Sequence, residues 1–457
     1  MKNRSIIIVF ICLIAVITAD KAYSQNYVST YAGTGNPGFV NGDTSIASFK
    51  QPFGICIDPA GNVYLADAGN NCIRKISIDG QVSIYAGTGQ SGYLDGPALE
   101  AKFKQPINIC MDDSGNMYVS DFLNQRIRKI SADMMVTTIA GNGNDGYLDG
   151  PAMDAMFNYP RGICLDDTGN IYIGDSWNHR IRKISTDGMV STWAGGGSNI
   201  GVQSVGGYVD ASDTAARFYT PCELSIDGFN NIYVADAYTH RIRKIAPDRM
   251  VSTVAGSGDL GPDGGGFQNG AATTAMFKVP TACHITTDGS IFVGDGSNQR
   301  VRRISTDQMV YTFAGSGEEG FDNGPDSLAT FNFPRGCVYD YSLNRLYVVD
   351  YNNHAVRIIH FESGVGINSS PNKMDNINIY PNPFDTGIRI DYELSEPAKI
   401  QINLYDLRGK LVSYIAEDYQ QAGKVSLNWE PVSIPDGTYF CVIRSGAETQ
   451  SFKIIKQ

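Results

Sequence analysis

FNYPRGICLDDTGNIYIGDSWNHRIRKISTDGMVSTWAG, residues 157–195, decides the fold. The unit opens with Phe157, three residues ahead of Pro160. A short apolar stretch follows, then the turn Asp166-Asp167-Thr168-Gly169-Asn170. The run Ile171-Tyr172-Ile173-Gly174 reads as a strand and ends on Asp175. A second polar turn leads into Ile-Arg-Lys-Ile around Arg182, and after another turn Val190-Ser191-Thr192-Trp193-Ala194-Gly195 closes the unit. Four short strand-like runs, split by turn residues and lacking a helical period, predict four strands joined by tight turns.

The unit recurs six times. Phe49, Phe103, Phe157, Phe218, Phe277 and Phe331 each precede a Pro by three residues, at spacings of 54, 54, 61, 59 and 54. The second strand ends on Asp67, Asp121, Asp175, Asp236, Asp295 or Asp350. The third carries Arg74, Arg128, Arg182, Arg243, Arg302 or Arg357. A fixed period of this length marks a repeat architecture, and four strands per repeat predict an all-β propeller with six blades. The fourth-strand motif is offset by one copy. It first occurs at 27–33, before the first repeat, and is missing after Phe361. The N-terminal strand is therefore expected to complete the sixth blade, which joins the chain ends and covers an edge.

The turns Asn178-His179-Arg180, Thr239-His240-Arg241, Asn124-Gln125-Arg126 and Asn298-Gln299-Arg300 resemble the NHL repeat family. The resemblance covers about 27–361. The first and last copies depart from it at Asn71-Cys72 and His354-Ala355, as suits blades at a ring's seam.

Around this core the chain divides into four parts. Residues 1–25 read as a signal peptide: Lys2 and Arg4, then an apolar run from Ile6 to Ile17, too short to span a bilayer comfortably. The propeller is expected over 26–362 and a Ser-, Gly- and Asn-rich linker over 363–375. Residues 376–457 alternate as about seven strands, which suggests a small Ig-like β-sandwich. In that tail, Ile379-Tyr380-Pro381-Asn382-Pro383-Phe384, Leu404-Tyr405-Asp406-Leu407-Arg408-Gly409-Lys410, Asp436-Gly437-Thr438-Tyr439 and Lys453-Ile454-Ile455-Lys456 resemble the C-terminal sorting domain of the bacterial type IX secretion system. The resemblance implies that secretion machinery as a partner, export across the outer membrane, release or attachment at the cell surface, and removal of the tail.

Composition narrows the function. The 50 Gly, 25 Tyr and 20 Phe suit many short strands and tight turns. A net charge of -11 argues against nucleic acid, which calls for a basic field. No segment after the leader is apolar enough to span a membrane. Eight Cys follow it, and Cys56, Cys110 and Cys164 hold one position in three successive repeats, as small buried strand residues do rather than disulfide partners. Gly87-Thr88-Gly89-Gln90-Ser91-Gly92 fits a dinucleotide pattern, but no helix or parallel crossover follows.

The Asp and Arg columns lie seven residues apart across a hairpin and are expected to meet as structural pairs. The loop aromatics Phe39, Tyr93, Tyr147, Tyr208, Phe267 and Phe321 are expected to anchor packing. No catalytic residue and no cofactor is assigned. Two metals stay open: calcium beside Asp95, Asp149 and Asp210, and zinc at His179, His240 and His354, the latter because some NHL propellers are zinc-dependent lyases. Symmetry breaks just after the repeat Pro, where the innermost strand should reach one mouth of the central channel. Arg161 and Arg335 stand there in opposite blades, with Glu223 and Asn108 between them. The long connections 195–217 and 256–276 are expected to flank blade four on the same face. The resulting expectation is an extracellular binding or scaffold protein that recognises a protein, peptide or glycan at that mouth. The alternative is a metal-dependent propeller enzyme of the lyase or lactonase type.

Overall fold

The computed structural model describes residues 26–196, 206–361, 374–395, 397–406, 411–431, 434–445 and 448–457. The expected leader lies outside these residues, as does most of the expected linker. Over the rest of the first 361 residues there are six antiparallel sheets, five of them built around four consecutive strands and the sixth around three consecutive strands and one from the N-terminal end. Blade 3 is typical. Strand 1 spans Pro160–Leu165, strand 2 Ile171–Asp175, strand 3 Arg180–Ile184 and strand 4 Met189–Ala194. Polar turns separate them, and Gly169 and Gly188 adopt the positive φ those turns require.

Blade 6 closes the ring. Its first three strands are Pro334–Asp340, Arg345–Asp350 and Ala355–His360, and its fourth is Tyr27–Ala32 from the other end of the propeller. Tyr27 pairs with His360, Val28 with Ile359 and Thr30 with Arg357. Five blades gain a further two-residue strand from the glycine-rich connection, such as Gly150–Pro151 against Met189–Val190 in blade 3. In blade 4 a single bridge, Ser212 to Met250, takes its place. The short strand covers the outer edge, which would otherwise offer unpaired backbone groups to another chain.

The repeated columns converge on one device. Asp175 Oδ1 accepts from the backbone N–H of Asn158 at 2.7 Å, which fixes the entry to strand 1. Its Oδ2 accepts from Asn178 Nδ2 at 2.8 Å and from Arg182 NH1 at 2.7 Å. Arg182 also donates to the carbonyls of Leu148 and Met156 in the incoming connection. Its guanidinium lies between the rings of Tyr147 and Phe157, at 4.9 and 5.2 Å. The Asp–Arg pair forms in all six blades, at 2.6–3.1 Å, with both side chains fully buried. Burial pushes Asp67, Asp236 and Asp350 up to about 6, against the pull of their three donors. Each pair thus ties strands 1, 2 and 3 to the preceding loop, and the six Phe pack beneath with no exposure.

The tail forms two further antiparallel sheets, one of three strands and one of four, around a core that includes Ile390, Ile402 and Ile443. Its first strand is Met374–Tyr380, so it begins within the span read as linker. The eight cysteines after the leader are free thiols. No helix among the described residues is long and apolar enough to cross a membrane.

Candidate ligand site at the channel mouth

Arg161 and Arg335 each follow the Pro that opens strand 1, and each is followed by a glycine. A Cβ on Gly162 would sit 2.2 Å from the Cys222 carbonyl oxygen, and one on Gly336 would sit 2.6 Å from that of Phe53. The glycines let neighbouring inner strands close up beside the two arginines. The Arg335 guanidinium lies 4.0 Å from the Phe53 ring, 4.2 Å from Tyr351 and 4.7 Å from Phe333. That of Arg161 lies 5.3 Å from Phe122 and 6.0 Å from Phe53, with NH1 3.4 Å from Cys222 Sγ.

The Arg161 charge is near enough to disfavour that of Arg335. Burial first, and then the Arg161 charge, pull Arg335 down to about 10. Neither arginine takes part in an ion pair among the described residues. Arg161 Nε and both Nε and NH1 of Arg335 are shielded from solvent and make no hydrogen bond within the protein. Buried donors left in that state are costly, and all three converge on one place.

The other two residues assigned to the mouth are not joined to this pair. Asn108 is buried, and its Oδ1 accepts from the backbone N–H of Ile109 at 2.7 Å. Glu223 is 9% exposed; burial holds its carboxyl well above the usual range, and Oε2 has no partner. No hydrogen bond links either to Arg161 or Arg335. Its neighbours are Cys283 and Cys337, whose thiols its charge raises further. Two residues further along strand 1, in blade 5, His284 sits where three other blades carry Cys. Burial lowers it to about 4, and Nε2 is unpartnered.

The three turn histidines are not brought together, and among the described residues no three metal-ligating groups cluster. Each histidine serves its own blade junction. His179 Nδ1 accepts from Thr220 N at 3.1 Å, His240 Nδ1 from Val279 N at 3.0 Å and His354 Nδ1 from Gln51 N at 3.0 Å. Asn71, Gln125 and Gln299 accept from Gln105, Tyr159 and Phe333 in the remaining junctions. Donor and acceptor residues all adopt positive φ, and the six bonds run once around the ring. An acceptor at a fixed reach is what the position requires, and Asn, Gln and neutral His all provide it. The acids considered for calcium are engaged as well: Asp95, Asp149 and Asp210 bind Arg128, Arg182 and Arg243 at 2.5, 2.5 and 2.6 Å.

Sequence reading missed the aromatic rim. Phe122 stacks 4.9 Å from Tyr159, which lies 4.8 Å from Trp177, and Tyr219 lies 5.3 Å from Tyr238. These residues come from the two positions before the repeat Pro and from the turn after the Asp column, so no single column reveals them. The signal was an excess of rings at two neighbouring positions on the same end of the blades.

Comparison with known proteins fits this architecture. The NHL repeat model matches residues 49–76, 157–184 and 331–359, and the model described as a secretion system C-terminal sorting domain matches 378–457. NHL repeat-containing protein 2 of Gallus gallus is 26% identical over 352 residues, 69% of this chain and 47% of its own. Teneurin-4 of Homo sapiens is 24% identical over 79% of this chain and 13% of its own. The chain therefore spans less than half the length of these relatives. Among solved structures, a protein of unknown function from Bacteroides thetaiotaomicron aligns at TM-score 0.56 and 20% identity, covering 74% of this chain and 76% of its own. An auxiliary nutrient binding protein from the same organism aligns at 0.56 and 16%, covering 74% and 77%. At these identities the likeness is one of fold. The sorting domain marks the protein for export, to be secreted or attached at the outer cell surface. The chain is an NHL-repeat β-propeller followed by a type IX secretion C-terminal sorting domain.

Proposed function

We propose that the propeller is an extracellular recognition module that takes an anionic group, presented by a protein, peptide or glycan, at the mouth holding Arg161 and Arg335. One observation carries the reading: the guanidinium groups of Arg161 and Arg335 lie within each other's electrostatic reach, with no carboxylate partner and with three shielded donors unused. A carboxylate lodged there would accept from both arginines and relieve their mutual repulsion. The aromatic walls exclude water and strengthen such bonds.

Citrate is a suitable first probe. Ligand that binds only the folded state stabilises it by about 2.7 kcal/mol at a hundred times Kd. Thermal unfolding with rising citrate should therefore shift upward at constant ionic strength. Arg161→Ala and Arg335→Ala should each weaken binding by about 1–3 kcal/mol. Equal shifts in the wild type and in the double variant would remove the site from this mouth.

A further inference from the structure

We propose that the ligand is an acidic saccharide, its sugar rings lying on the aromatic rim and its carboxylate reaching Arg161 and Arg335. This rests on the anion reading above and adds the chemistry of the rest of the ligand.

The rim supplies the first argument. Phe122, Tyr159 and Trp177 form one arc, with adjacent rings 4.9 and 4.8 Å apart and tilted at 37° and 60°. Tyr219 and Tyr238 continue it beyond His179, whose ring lies 5.2 Å from Tyr219. Trp177 is 53% exposed, although the chain has only three tryptophans. Large flat faces left open beside a polar centre suit a ligand that has C–H faces and polar edges at once. A sugar ring is such a ligand.

Charge supplies the second. The protein is acidic overall, yet Lys50, Lys104 and Lys278 stand two residues before the repeat Pro in blades 1, 2 and 5. Their backbone N–H groups are held by Asp67, Asp121 and Asp295 at 2.8 Å, at the entry to the inner strands. Lys50 and Lys278 lie close enough to lower His354 and His240. The entries to three inner strands thus carry cationic side chains, which favour a ligand with several acids.

The third argument separates a saccharide from a peptide. One common mode of binding an extended peptide adds it as a strand to an open sheet edge. Here inner edges meet one another, as where Gly54 N donates to Ile107 O at 2.8 Å, and outer edges in five blades are covered by two-residue strands.

The test is calorimetric titration of the full chain with oligomers of galacturonic, mannuronic and glucuronic acid. Methyl-esterified galacturonate, an acidic peptide and oligothymidylate serve as comparisons. At least one uronate oligomer should bind, and esterification should weaken it roughly tenfold or more. Trp177→Ala, on an exposed side chain, should weaken the uronate by a larger factor than it weakens citrate. Citrate binding without uronate binding would overturn the saccharide and leave the anion site standing. Tighter binding of the peptide or of oligothymidylate would do the same. Loss of nothing on Arg161→Ala with Arg335→Ala would overturn both.

Discussion

His354 Nδ1 accepts a hydrogen bond from Gln51 N at 3.0 Å, across the seam where blade 6 meets blade 1. The bond needs a neutral imidazole, because a protonated ring has no acceptor. Burial and the Lys50 charge hold His354 below its ordinary 6.5. The unfolded chain therefore binds the proton first, and the stability this residue contributes is present above pH 6.5 and lost as pH falls toward the folded value. Gln does the same work in blades 2 and 5 without titrating. His354→Gln should match the wild type in urea at pH 7.5 and exceed it at pH 5. A constant difference between the two proteins across that range would show that the ring does not titrate in this way.

The Asp175–Arg182 pair is fully buried, and breaking it strands one charge. Arg182→Ala should cost about 3–5 kcal/mol, read from denaturant unfolding. Removing Asp175 as well should cost less than the sum of the two single changes, since the second removes the stranded charge.

Deleting residues 27–33 leaves strand 3 of blade 6 with an open edge and exposes the site of Val28, which is fully buried. The melting temperature should fall clearly, and the shortened chain should self-associate at high concentration. Sedimentation would report the second effect.

The arginine pair at the mouth should lower stability in the ligand-free protein. Arg161→Met with Arg335→Met removes two close positive charges and three unused donors and keeps apolar bulk. Replacing unpaired buried charge with hydrophobic side chains should stabilise the fold by about 1–2 kcal/mol while abolishing citrate binding. A less stable double variant would mean that the stacking on Phe53 and Tyr351 outweighs the repulsion.

The sorting domain predicts a processing event. Protein from the medium or the cell surface should end ahead of the tail, within or near 363–375. Intact mass decides it: a species still carrying Gln457 would count against removal of the tail.

The blades were legible in the sequence because each column repeats six times. Asp175, Arg182, Phe157 and Tyr147 could each be placed in a blade from spacing alone. The Asp175–Arg182 pair was expected from its seven-residue spacing, but its link to the incoming connection was not, since Arg182 meets Asp149 from 33 residues away and the Tyr147 ring from the same connection. That distance is also why Asp149 looked available to calcium. The turn histidines were ambiguous for a different reason. His is a metal ligand and a neutral acceptor alike; the exchange with Gln125 and Gln299 weighed against a metal, and the acceptor role appears only in the fold. Arg161 and Arg335 stood out in the sequence by broken symmetry. Their lack of a carboxylate partner was not legible, because it depends on packing: Glu223, the acid nearest in the repeat, is buried and its Oε2 makes no hydrogen bond.

The closing strand has a kinetic meaning as well. Within a blade, strands 1 to 4 pair through short hairpins and can form while neighbouring chain is still disordered. Ser29 and His360, joined at 2.9 Å in the finished ring, are 331 residues apart. Contacts of that range are slow to form in all-β proteins, because chain entropy is lost before any pairing is gained. Ring closure should therefore be the last and rate-limiting step, and until it occurs blade 6 keeps a bare edge open to a second chain. The strand that emerges first is the one that must wait longest for its partner.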